Sequence, residues 1–293
     1  MAIFLKAYRG YDGGLSSTFD RVMVIFRYAM ADVFQSRLFV GYFLVCLLFP
    51  IALICALYIY HNIDLLMSFE VPLGELPEIN GEFFAIAMQM PQNALLFFMV
   101  VAIGPTMISP DLRNNAMPLY LSRPISKSNY ILGKLMVLLV LGSLISWIPG
   151  LIIFGLQSFL AGGDWMMNNL QIPVAAFVSS VSWILCLSLL AFTVSAFVKW
   201  KAVARISFFG ILFFASLMGE IIEELFQGSG GYLVNVFAGH QVLMAVLYQA
   251  SENFILEFSE TMTAEKAAVQ LSVISIVAFV ILYNRIRAYQ AVA

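Results

Sequence analysis

From Phe39 to Tyr60 the chain runs without an Asp, Glu, Lys or Arg. A bilayer core of about 30 Å takes around 20 apolar residues of helix to cross, so this stretch has the length and chemistry of a membrane span. Five more meet or approach that standard. The second falls in the uncharged run 83–109 and is expected at 92–109, after Pro91. The others are 135–160, 172–198, the shorter 202–221, which has Arg205 and Glu220 near its ends, and 267–284. Composition agrees: 62% of residues are hydrophobic and 11% charged, against about 25% charged in a soluble domain. Mean hydropathy is +0.93. The expectation is an all-α, polytopic membrane protein in which 39–285 form one six-helix domain. Cys46, Cys55 and Cys186 lie in these apolar runs and read as small hydrophobes.

Charge asymmetry orients the spans. Fourteen of the fifteen basic residues fall before the first span, between the second and third, between the fourth and fifth or at the adjoining end of the fifth (Arg205), or after the sixth; Lys266 alone falls on the other side. Most acids go the opposite way, including all seven from Glu220 to Glu265. Basic loops stay in the cytosol, so both termini are expected inside, with 1–38 a cytoplasmic segment and 286–293 a cytoplasmic tail. Residues 1–18 lack the apolar run of a secretory signal. With a net charge of −2, the chain has no general attraction for nucleic acid.

Three non-spanning segments carry a pattern. Phe19, Val22, Met23, Phe26, Met30 and Val33 recur at helical spacing, with Asp20, Arg27 and Asp32 on the other side. That predicts an amphipathic helix over 19–38, lying on the cytoplasmic leaflet as an anchor or as an elbow beside a moving bundle. Between spans two and three, Ser109, Pro110 and Asp111 make a helix-starting signal. A short helix should follow, perturbed at Pro118 and stopped before Pro124, and Ser126 or Ser128 can cap span three. This segment reads as a tight connector or as a docking surface. Outside, 223–266 is long enough that interfacial or partly re-entrant helices are expected, after a break at Gly228–Gly231.

Catalytic signatures do not emerge. The spans hold almost no ionisable residue away from their ends, unlike ion-driven carriers. His61 and His240 form no metal-ligand pair and are expected to be solvated or interfacial. No GxSxG elbow occurs. Gly133-Lys134 lacks the remainder of a phosphate loop, so the chain has no ATP-binding motif, no catalytic, metal or cofactor-binding residues are assigned, and an uphill process would need energy from another subunit. Gly142, Ser146 and Gly150 recur every fourth residue in span three and suit close helix packing. Pro105 and Pro149 can kink their spans or free backbone carbonyls.

The run 108–140, ISPDLRNNAMPLYLSRPISKSNYILGKLMVLLV, resembles the cytoplasmic signature of ATP-binding-cassette (ABC) export permeases of the type-2 class. In that family an acidic residue opens a short helix, a Leu-Ser-Arg-Pro turn follows, and a Gly-Lys pair starts the third span. Here these are Asp111, Leu121-Ser122-Arg123-Pro124 and Gly133-Lys134. The likeness covers the whole topology but only about thirty residues in motif detail. Asp111 stands where the family more often has Glu, and Asn114-Asn115 replace a glycine-containing stretch. The resemblance implies that Leu112–Leu121 is a coupling helix seated on a separate ATPase subunit, which binds ATP and Mg²⁺. Asp111, Arg113 and Arg123 would supply polar contacts, and Met117, Leu119 and Tyr120 would fill its groove. It also implies a second permease chain, identical or different, alternating access, and a prokaryotic inner (plasma) membrane as the location. An ATP-independent carrier and a non-transporting membrane anchor of a larger complex are the alternatives. The transported substrate is not legible.

Overall fold

The computed structural model describes residues 17–68, 76–121, 125–226, 230–251 and 262–290. Every regular element among them is helical, and six helices are long and apolar enough to cross a membrane: span one Arg37–Tyr60, span two Gly81–Arg113, span three Lys127–Ala161, span four Gln171–Phe197, span five Lys201–Phe226 and span six, the helix Ala264–Gln290. The chain is a multi-pass membrane protein. Burial divides the spans into two groups. In the most apolar windows of spans two, three and four, 61%, 56% and 61% of residues are buried, against 22%, 22% and 28% in spans one, five and six. The first group is the core and the second faces outward.

Span four is the central post, packed against spans two, three, five and six. Its buried face is rich in small residues, among them Ala175, Ala176, Ser179, Ala191 and Ser195, which let neighbouring backbones approach. Gly104 of span two shows how closely. A Cβ added there would lie 2.8 Å from the Cβ of Ala191. Gly142 of span three leaves the same kind of room for Ile184, and Gly150 for Met88 and Ala176. The small-residue stripe of span three is thus a packing face.

Span two differs from its sequence reading. It starts at Gly81, where the Asn80 side chain accepts from the amide of Phe83, and passes through Pro91 instead of beginning after it. A π-helical segment, Met90–Leu96, absorbs the proline, because widening the turn accommodates a residue with no N–H to donate. The indole of Trp183 donates to the Gln92 carbonyl there at 2.9 Å. Span three begins at Lys127, capped by Ser126, and breaks at Ser146. Pro149 cannot donate to the carbonyl of Ile145 four residues back, and the Ser146 hydroxyl turns to the Gly142 carbonyl at 2.7 Å.

The amphipathic helix forms over Thr18–Phe34. Ser17 and Asp20 make a reciprocal capping box, and the bonds from Ser17 hold the Asp20 carboxyl below its ordinary range. The buried stripe is Val22, Ile25, Ala29 and Val33, while Phe19 and Phe34 are exposed. This face lies on span three at Gly133, where an added Cβ would come within 2.8 Å of Ile25.

Between spans five and six, helix Val236–Leu247 enters the bundle. Phe237 sits 5.1 Å from Phe97 and 5.3 Å from Trp183, ring centre to ring centre. Trp183 is twelve residues into span four, or about 18 Å at 1.5 Å per residue, so the helix reaches the middle of the bundle. His240 is therefore not solvated: it is 0% exposed and stacks on Trp183 at 4.3 Å. His61 is half-buried and bonds to the Gln157 side chain at 2.9 Å. Residues 227–229 and 252–261, which include Gly228 and Ser229 of the glycine-rich break, lie outside the described residues.

Candidate functional site

One end of the bundle gathers the basic residues, and contacts between spans place them together. Arg113 at the end of span two lies over the Trp200 ring at 4.8 Å. Lys127 at the start of span three lies over Tyr283 of span six at 5.5 Å, and Arg285 lies over Phe197 at 5.0 Å. Arg205 donates from Nε to the Ala102 carbonyl at 2.8 Å. Long cationic side chains with apolar stems and aromatic neighbours suit a membrane-edge position.

The segment 104–121 is built into this end by two anchors. The first is Ser195 of span four. Span two tightens to a single 3₁₀ turn at Gly104–Thr106. The Ser195 hydroxyl donates to the Pro105 carbonyl at 2.6 Å and accepts from the amides of Ser109 at 2.8 Å and Ile108 at 3.2 Å. The Pro105 carbonyl thus serves a neighbouring span. Ser109, expected as a helix cap, instead donates from its hydroxyl to the same carbonyl at 3.1 Å.

The second anchor is Asp111. Its Oδ2 accepts from the Tyr130 hydroxyl at 2.6 Å and pairs with the Lys134 ammonium at 3.1 Å. Tyr130 and Lys134 are four residues apart on span three, so both point to one place. The Tyr120 ring lies 5.4 Å from that of Tyr130. Burial, then the Asp111 charge, pushes the Tyr120 phenol above its ordinary range, so it remains a neutral hydroxyl near neutral pH.

The expected single helix over 112–121 is two pieces, Ser109–Arg113 and Met117–Leu121. The break falls at Asn114-Asn115, and Asn115 adopts φ 51°, a left-handed conformation that Asn tolerates better than most residues. Pro118 does not perturb the second piece because it lies in the first turn, where no N–H is needed. Met117 is 1% exposed and sits in this chain's own core, so it cannot fill another protein's groove. Leu119 is 70% exposed and Arg113 is exposed, while Tyr120 is half-buried. Arg123, with Ser122 and Pro124, lies outside the described residues.

The structure therefore brings Asp111, Tyr120, Tyr130 and Lys134 into one cluster and sets Arg113 apart against Trp200. Sequence reading missed Ser195 and Tyr130. Tyr130 left a signal, its one-turn spacing from Lys134; Ser195 left none beyond being a serine in an apolar helix. No protein-family model matches the chain, and no curated protein matches it.

Proposed function

We propose that the chain is the membrane permease subunit of an ATP-driven exporter of the ABC type-2 class. The observation that carries this reading is the segment 104–121. It is braced by Ser195 and Asp111 yet leaves Leu119 exposed at the basic, and hence cytoplasmic, end of the bundle. A short, rigid surface feature tied to spans two, three and four can pass a push from a cytosolic ATPase into the membrane. Leu119 and part of Tyr120 are its apolar contacts, with Arg113 and Arg123 its polar ones. Met117 acts beneath them as a buried support. Two such chains enclose the pathway, and the ATPase holds ATP and Mg²⁺.

The test is to purify the tagged chain in mild detergent and identify what accompanies it by mass spectrometry. A subunit with a phosphate-binding loop should co-purify, and Tyr120→Ala combined with Arg123→Glu should release it while leaving membrane insertion intact. A chain that comes alone and folded, or retention of the ATPase by the double variant, would overturn this coupling surface.

A further inference from the structure

A cleft of about 1210 Å³ opens at the basic end, between the amphipathic helix, the starts of spans one, three and five, the last turns of span two and the segment that carries Leu119 and Tyr120. Its lining is mixed. Tyr28 and Leu38 offer apolar surface; Leu38 is 88% exposed and Tyr28 74%. Lys201 and Arg205 stand one turn apart on span five. The bond from Arg205 Nε to the Ala102 carbonyl fixes the guanidinium at the wall. Among the described residues its terminal nitrogens have no protein partner.

Among the described residues, five charged groups line the cleft: Asp32, Asp111, Lys134, Lys201 and Arg205. Asp111 and Lys134 are paired with one another. Asp32 offsets one of the other two cations, which leaves one unit of positive charge beside apolar lining. Exposed apolar lining favours an apolar occupant. A ligand with one negative charge and an alkyl chain suits both the cations and the apolar part of the lining. At the edge of a bilayer the abundant molecule of that description is an anionic lipid, which surface Lys and Arg attract.

We propose that this cleft binds one anionic glycerophospholipid from the adjoining leaflet. Its phosphate sits on Arg205 and Lys201, and an acyl chain lies along Leu38 and Tyr28. The lipid then braces the amphipathic helix against span five. The assignment rests on the chain's crossing a membrane; because Leu119 and Tyr120, given above to the ATPase contact, also line the cleft, it is tested on the chain alone, where a failed ATPase contact has no bearing.

The purified chain, delipidated in detergent and reloaded from phosphatidylglycerol or phosphatidylcholine, is read by native mass spectrometry. One phosphatidylglycerol per chain should be retained, at least about tenfold in preference to phosphatidylcholine. Arg205→Gln with Lys201→Gln should weaken retention roughly 10–30-fold. No retained lipid, equal retention by the double variant, or displacement by millimolar inorganic phosphate would each overturn the proposal. If the double variant does not fold, the wild-type chain in nanodiscs is crosslinked to phosphatidylglycerol carrying a diazirine on its acyl chain. Labelling should concentrate in 24–42 and fall on adding unlabelled phosphatidylglycerol. Uniform, uncompeted labelling of the outer faces of spans five and six sinks the idea, and so does a co-purifying protein crosslinked inside the cleft in place of lipid.

Discussion

Three hydrogen bonds meet at one buried oxygen near the end of span four. A serine hydroxyl can donate once and accept twice, and Ser195 uses all three capacities to hold Pro105, Ile108 and Ser109. Ser195→Ala strands two amides in a dry interior, at roughly 1–3 kcal/mol each. Ser188, on the same helix, provides the contrast: its buried hydroxyl has no partner among the described residues. Ser188→Ala should be neutral or slightly stabilising, whereas Ser195→Ala should lower the midpoint of detergent-induced unfolding clearly. Equal effects would show that the latch carries no net stability. Asn115 poses a second residue-scale question. Its left-handed backbone costs a branched residue about 1–2 kcal/mol, so Asn115→Val should destabilise by that order and Asn115→Gly should not. Thermal melts of the purified variants check this. Neither position declares itself in the sequence, since a buried serine that bonds looks like one that does not.

At the scale of elements, the close approach of the amphipathic helix to span three makes the sharpest demand. Gly133 leaves no room for a Cβ beside Ile25, so Gly133→Leu must push the helix away. The expected cost is about 1–3 kcal/mol for overpacking, with faster amide exchange confined to 18–34. Unchanged exchange there would mean that the two helices part without consequence. The Gly-Lys pair was readable as a motif, but its two roles were not. Glycine admits Ile25, and lysine one residue on pairs with Asp111. Helix existence was legible throughout because long apolar runs have one stable form in a bilayer. Boundaries were less so. Pro91 suggested a start that the π-helical turn removes, and Pro118 suggested a perturbation that Asn115 supplies instead. In both cases proline was read for what it forbids, while its neighbours decided where the chain could absorb it. His240 was misplaced for a related reason: a loop's length does not reveal that it folds back to mid-bundle.

For the whole molecule, the decisive quantity is which end faces the cytosol. The positive-inside rule predicts it from fourteen of fifteen basic residues, and Arg113, Lys127, Arg205 and Arg285 meet at one end through contacts between five spans. Asn114 and Asp164 are both exposed and flank span three alone, so a single crossing separates them. In a background of Cys46→Ala, Cys55→Ala and Cys186→Ala, a membrane-impermeant maleimide applied to intact cells should label Asp164→Cys. It should reach Asn114→Cys only after permeabilisation. The opposite pattern would place Leu119 outside, where no cytosolic ATPase could touch it, and the permease reading would fall with the orientation. Labelling of both in intact cells would mean that span three does not cross. Labelling of Asp164→Cys alone would leave Asn114, Leu119 and Arg113 on the ATP-containing side of the membrane, the one arrangement in which the braced segment at the end of span two can receive a push from below.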